Sequence, residues 1–525
     1  MQIHPTRATS HLAAAGALTM LAGLAAQQAA VFAWGGALLV GLAVARAGTE
    51  LGVARIRAAG FEMLWRSEPR YRRIARDESL EIEAEVRNRD TRAARFVELR
   101  PVCSPNLRVS IEPSAGEVPA GGRLSVAVRV RGPRVGRHGI HGLSLEVRGG
   151  PGLFEVPLTF ANPFGVDVMP RPYGVLSRSG RGGRNRLSAE AGRSGRFAGD
   201  GSELRELREH QPGDPFKRIA WKASARRGKL LVREYEQDER EIVWLLLDAS
   251  IELWAGTPGS APLDHAIDEV ASVAERHASR GDRVGVGVVA GRTLAWIEPD
   301  RGPAHLAELM ATLSHATAAY DADRSDWDEA DVALRVYEHM RPLDPALVRG
   351  VVPGDLDRLL RRVERALPRA PFPDVGEPFA ALRRERVLRR YLASFGVSAP
   401  ARLEPERSRT DLQLAEALRR LGRARPRPSR IYVWSPAPDP AARPEIRRAL
   451  LKHPRRRVDL LWIPMQHASS VPVGEGATAR AVAAAVSLRV QVAEQRGEQA
   501  LRGLGVAVHR PRRVVADRPE PPAAT

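Results

Sequence analysis

Residues 203–250 read ELRELREHQPGDPFKRIAWKASARRGKLLVREYEQDEREIVWLLLDAS. The part from Glu203 to Tyr235 is dense in charge and is broken by a Pro-Gly-Asp turn at residues 212–214. It leads into an unbroken apolar run, Ile242 to Leu247, that ends in Asp248-Ala249-Ser250. Such a run is what a strand buried on both faces of a parallel sheet requires. The chain has four lysines, and Lys217, Lys222 and Lys229 fall inside this stretch. Elsewhere the positive charge is almost entirely Arg, so the retained Lys marks a segment constrained beyond solubility.

Downstream, strands alternate with helices, the pattern of an α/β domain. Ile267, Val270, Ala271, Ala274 and Ala278 recur at helical spacing, and Gly281 closes that helix. Strands are expected at Val284–Val289, Thr293–Ile297, Ile431–Trp434, Val458–Ile463 and Val506–His509, with a helix over Thr478–Leu504. Residues 241–510 thus read as one domain, interrupted over about 321–405. In that insertion Leu356, Leu359, Leu360, Val363 and Leu367 form one helical stripe. Phe379, Leu382, Leu388, Leu392 and Phe395 form another, stopped by Gly396. The insertion is expected as a small helical subdomain near the top edge of the sheet, where it would cover or extend a binding face. Residues 511–525 are Pro, Arg and Ala rich and read as a disordered tail.

Upstream, Ser79–Val86, Leu107–Ile111, Leu124–Val130, Leu143–Val147 and Phe154–Phe160 alternate polar and apolar residues between turn clusters. Short strands at this spacing predict a small antiparallel β-sandwich over 67–170. Residues 171–202 are Gly, Ser and Arg rich and read as a flexible or extended connector to the 203–240 segment. Leu12 to Ala45 carries no charge, and Gln27-Gln28 is its main polar break. One straight helix of that length would span about 50 Å against a hydrocarbon core of about 30 Å. Two helices within 9–47, meeting near Gln27-Gln28, fit better, with Gly16, Gly23, Gly35 and Gly36 allowing close approach. A cleaved signal peptide and a single kinked span are the other readings. Arg46, Arg55, Arg57, Arg66, Arg70, Arg72 and Arg73 follow, and positive charge beside a span marks the cytoplasmic side. A multi-pass protein of the cell membrane with a cytoplasmic body is expected.

The chain has 525 residues, ample for several domains, and 43% of them are hydrophobic. Its single cysteine, Cys103, excludes an intramolecular disulfide. The formal charge of +19 would attract anionic lipid or nucleic acid. The arginines are scattered, without an aromatic platform or compact basic helix, so nucleic acid is not expected as the main partner. His210, His265 and His277 lack matching nucleophiles, and no catalytic set emerges.

Leu207-Arg208, Pro212-Gly213-Asp214 and Arg218-Ile219-x-Trp221-Lys222-Ala223-Ser224-Ala225-Arg226 resemble the signature of the domain-of-unknown-function 58 family. His210 stands where that family usually has Tyr, and Ala220 where it usually has Asp. Asn162-Pro163-Phe164-Gly165 looks like the family's Asp-Pro-Phe-Gly turn. The resemblance covers roughly Arg66 to Arg510. It implies a bacterial membrane protein whose α/β domain is von Willebrand factor A-like, hence Rossmann-like. It also implies work beside a MoxR-type AAA+ ATPase as a non-enzymatic adaptor or assembly factor. Arg208, Asp214, Trp221, Lys222 and Arg226 are the expected partner-binding residues, with Trp221 as a buried pivot.

Von Willebrand A domains place Asp-x-Ser-x-Ser at the end of the first strand to bind Mg²⁺ through hard oxygen donors. Here Asp248 and Ser250 match and Glu252 replaces the second Ser. Thr410 is placed like the Thr ligand, while Thr410-Asp411-Leu412-Gln413 also reads as a capping box opening a helix over Asp411–Leu421. Pro436 stands where a later loop should supply Asp, with Asp439 three residues on. The site is expected to be degenerate, holding no cofactor or only weakly bound Mg²⁺. Two other functions stay open: a basic membrane protein whose main task is binding nucleic acid or anionic lipid, and a metal-dependent hydrolase.

Overall fold

The computed structural model describes residues 3–66, 70–149, 152–172, 193–212, 214–239, 241–254, 256–343, 354–400, 407–438, 443–452, 458–465 and 476–509. The tail, most of the Gly/Arg-rich connector, Gly213 and Asp439 lie outside the described residues. The chain forms two compact units, Met1–Met169 with Ala318–Leu403, and Pro170–Thr317 with Glu404–Thr525.

The first unit begins with two antiparallel helices, Arg7–Ala25 and Ala29–Ala59. Gln27 turns the chain between them with φ of 51°. Close approach is built in. A β-carbon on Gly35 would lie 2.6 Å from the carbonyl oxygen of Gly16, whereas Gly36 faces open space. Both helices are long and apolar enough to cross a membrane. The second is longer than the 9–47 reading allows, with 31 residues and a length of about 46 Å. Its last turns leave the apolar stretch. Val53 and Ile56 join the core of the following sandwich, and Arg55 pairs with Asp90 at 3.0 Å.

Two sheets form that sandwich. One contains Phe61–Trp65, Ser79–Asn88, Arg123–Arg131 and Arg108–Glu112, in that order and antiparallel throughout. The other orders His4–Pro5, Phe154–Met169, Gly136–Arg148, Ala94–Cys103 and Gly116–Val118, with Tyr71–Ala75 running parallel to Phe154–Met169. Ile82, Ala84, Val86, Val126 and Val128 from the first sheet and Leu143, Leu145 and Val156 from the second fill one buried core. Asn162 to Gly165 is not a turn. It lies inside the strand Phe154–Met169, where the register shifts between Ala161 and Phe164. The extra residues turn Phe164 into the core, and Trp65 Nε1 donates to the Asn162 carbonyl at 2.8 Å.

The insertion, expected beside the α/β sheet, belongs to this unit and packs on the sandwich. Its described helices are Glu329–Leu343, Leu356–Ala366 and Arg383–Phe395. Gly396 ends the last in a left-handed conformation, and Phe379 and Leu382 are exposed residues ahead of it. Ser104 Oγ donates to the Gly396 carbonyl at 2.5 Å, and the Phe372 ring packs where a side chain on Gly165 would sit.

The second unit is built on a six-stranded sheet ordered Thr293–Asp300, Arg283–Val289, Ile242–Asp248, Arg430–Ser435, Asp459–Pro464, Ala507–Val508. All neighbours are parallel except the first pair, a hairpin. The apolar run of Ile242–Asp248 lies at its centre, under the helix Pro262–Ser279. A separate antiparallel pair, Arg193–Glu209 with Leu231–Glu239, carries the signature segment. Residues 193–202, expected as connector, are therefore strand.

Candidate functional site

Ligands in open parallel sheets bind beyond the carboxyl ends of the strands. Asp248, the last residue of the central strand, is fully buried there. Its Oδ1 accepts from the Ser250 backbone N–H at 3.1 Å, and its Oδ2 from Ser435 Oγ at 2.7 Å. The remaining approach is filled by the guanidinium of Arg407. Nη2 donates to Asp248 Oδ2 at 2.7 Å and to Ser435 Oγ at 3.1 Å. Nη1 donates to Ser250 Oγ at 3.0 Å and to Glu252 Oε1 at 2.6 Å. Nε lies 3.1 Å from Asp411 Oδ1.

A second guanidinium stands behind the first. Arg443 Nε reaches both oxygens of Asp411 at 2.9 and 3.0 Å, Nη1 donates to the Pro436 carbonyl at 2.6 Å, and Nη2 donates to Ser435 Oγ at 3.2 Å. Three carboxylates and two guanidiniums thus form one network, with Asp248, Asp411 and Arg443 buried and Arg407 and Glu252 partly exposed. Burial alone would raise the Asp248 carboxyl. Arg407, Arg443 and the serine hydroxyls outweigh it and hold the group below its ordinary value. Burial opposes the charge on Arg407 as well, yet Asp248, Glu252 and Asp411 raise its pKa.

The residues expected to ligate Mg²⁺ therefore do not fit a metal ion in this arrangement. Asp248 and Ser250 are brought together as expected, but Arg407 lies where a divalent cation would have to coordinate them. Glu252 and Arg407 explain each other. A longer, charged side chain replaces the hydroxyl of the adhesion pattern because its partner is a guanidinium. Thr410 is buried, but it does not cap a helix. The helix starts at Arg407 and runs to Arg423, which puts Thr410 inside its first turns.

At the opposite end of the sheet, the ligand atoms of Glu241, His277 and Asp282 lie within 4.8 Å of one another. His277 Nδ1 bonds Asp282 Oδ2 at 2.7 Å, and Nε2 bonds the Tyr432 hydroxyl at 3.2 Å. Both imidazole nitrogens are engaged, so the cluster ties the helix Pro262–Ser279 to the starts of two strands.

The signature segment is a hairpin closed by a compact loop. Arg208 makes a bidentate pair with Asp214, at 2.8 and 2.6 Å, and Asp214 also accepts from the Gln211 N–H at 2.8 Å. The Arg208 hydrogen bond is the main cause that lowers the Asp214 carboxyl to about 2. These two residues, expected on a docking face, close their own turn. The short helix Trp221–Arg227 is pinned from beneath. Ser224 Oγ accepts from the Leu231 N–H at 2.9 Å and donates to the Ala220 carbonyl at 3.1 Å, while Ile219 and Val232 are buried. Trp221 is 61% exposed, and Phe216, in the turn ahead of the helix, is 75% exposed. Trp221 is not a buried pivot; Ser224 is the buried residue of this helix. Lys217, Lys222, Arg226 and Arg227 are exposed around it, with no ion pair among the described residues.

Residues 206–367 match the family described as Protein of unknown function DUF58. An uncharacterized protein of Mycobacterium bovis and one of Mycobacterium tuberculosis are each 30% identical over 147 residues, which is 28% of this chain and 46% of theirs. The chain thus matches about half the length of these relatives. Among solved structures, a PapD-like domain of human CEP192 is similar at 13% identity, over 21% of this chain and 85% of that one, with a TM-score of 0.17. At that score neither fold nor function transfers.

Proposed function

We propose that this protein is a non-enzymatic, membrane-anchored interaction and assembly factor. It docks a MoxR-type AAA+ ATPase through the exposed face of the helix Trp221–Arg227. The α/β unit is von Willebrand A-like on this reading. The sheet order, with its single antiparallel edge strand and an Asp at the end of the central strand, supports it. The ATPase partner comes from the family resemblance, and the cytoplasmic placement from the arginines that follow the second apolar helix. The two apolar helices supply the anchor.

The observation that carries the docking role is the exposure of Trp221, on a helix held by Ser224, and of Phe216 in the turn before it. Exposed aromatics and Arg are residue types enriched at protein interfaces. Lys217, Lys222 and Arg226 favour an acidic partner surface. The strand-end carboxylates support a non-enzymatic role, because Arg407 and Arg443 hold them away from any substrate. Recovery of the ATPase with full-length protein from native membranes, with Trp221 and Lys222 intact or substituted, tests this reading.

A further inference from the structure

In the first unit, between the insertion and the sandwich, lies a cavity of about 160 Å³. Its lining includes Cys103, His141, Thr159, Arg335, His339 and Ser398. Three nitrogens of this lining are buried without a hydrogen-bond partner: His141 Nδ1, His339 Nε2 and Arg335 Nε. A buried polar group without a partner is destabilising, and a cluster of them at one cavity calls for a ligand.

The sign of the missing partner follows from Arg335, whose buried Nε can only donate. His339 Nδ1 bonds the Tyr391 hydroxyl at 2.9 Å. In the tautomer with Nδ1 as acceptor of the hydroxyl proton, Nε2 is a donor into the cavity; in the other it is an acceptor. Arg335 Nε is always a donor. The two imidazoles pack edge to face with centroids 4.3 Å apart. Both are neutral at neutral pH: burial first, then Arg335, brings His141 down to about 4, and burial, His141 and Arg335 hold His339 well below its ordinary value. The cavity therefore offers N–H and O–H donors and one fixed positive charge. Glu338 also lines it, but is exposed and faces Arg335 at 3.5 Å.

We propose that this cavity binds a small oxyanion, of the carboxylate or phosphate class, held by Arg335, His339 and His141. A soft metal ion fits less well. Arg335 would repel it, and among the described residues the one cluster whose ligand atoms lie within 4.8 Å is Glu241, His277 and Asp282.

The test is calorimetric titration of the full-length protein with inorganic phosphate and with acetate, at ionic strength held constant with chloride. Saturable binding of either anion is expected. Arg335→Gln is expected to weaken it roughly ten- to a hundredfold, the loss of one charged hydrogen bond. His339→Phe should weaken it too, and Arg335→Gln, at a half-exposed position, keeps the test valid if the His339 variant fails to fold. Absence of saturable binding by both anions overturns the proposal, as does equal binding by the native protein and Arg335→Gln. Saturable Zn²⁺ binding that Cys103→Ser abolishes would overturn it in favour of a metal site.

Discussion

Arg407 Nη2 donates to Asp248 Oδ2 across 2.7 Å, joining residues 159 positions apart at the carboxyl end of the central strand. The same side chain bonds Ser250, Glu252 and Ser435. Removing one partner of such a network leaves buried charge uncompensated. Arg407→Ala is therefore expected to destabilise the α/β unit by about 3–5 kcal/mol. Arg407→Lys, which keeps the charge but presents fewer donors in another geometry, should lose less. Urea denaturation of the native protein and the two variants checks the order.

The same geometry predicts the response to divalent cations. Calorimetry with Mg²⁺ or Mn²⁺ should show no saturable heat from these residues in the native protein. Arg407→Ser should gain Mn²⁺ binding, because Asp248, Glu252 and Asp411 are then a set of hard oxygen donors without a counter-charge. Micromolar affinity in the native protein that vanishes in Asp248→Ala would contradict the assignment.

The network also sets a pH dependence. The Asp248 carboxyl lies below its ordinary value of 3.8 in the folded state. A depressed carboxyl pKa stabilises fully above the unfolded value, and the contribution is lost as pH falls through the folded one. The stability difference between the native protein and Asp248→Asn should stay constant from about pH 8 to about pH 5. It should shrink only below the ordinary value of 3.8. Thermal denaturation across that range measures it.

How much of this was legible depended on how local each feature is. The strand Ile242–Asp248 is an unbroken apolar run, and Gly396 marks the end of Arg383–Phe395, so both could be read directly. The strand Ala94–Cys103 could not, because Pro101 and an irregular pairing blur its alternation. The seat of the insertion is a tertiary choice. Its trace in the sequence was Gly139, where a β-carbon would collide with the Phe395 carbonyl, and one glycine among 46 does not declare that role. Glu252 in place of Ser called for a cationic partner, but 81 Lys and Arg residues gave no way to choose Arg407. Trp221 reads as buried from sequence because large aromatics usually are. In the signature helix Ser224 anchors instead.

That inversion of roles has a measurable consequence. Trp221→Ala should leave the melting temperature nearly unchanged, since the ring is 61% exposed. Ser224→Ala removes the buried acceptor of the Leu231 N–H and should cost about 1–3 kcal/mol. A larger loss in Trp221→Ala than in Ser224→Ala would return the ring to the core.

The central claim is that the outer face of the helix Trp221–Arg227 recruits the partner. Its most direct measurement is recovery of the MoxR-type AAA+ ATPase with full-length protein from native membranes, per folded molecule. Native protein is compared with Trp221→Ala and with the Lys222→Glu, Arg226→Glu double variant. The account predicts unchanged melting temperatures and recovery reduced about tenfold or more in both, as for substitutions at an interface hot spot. Recovery equal to that of the native protein in both variants would contradict it.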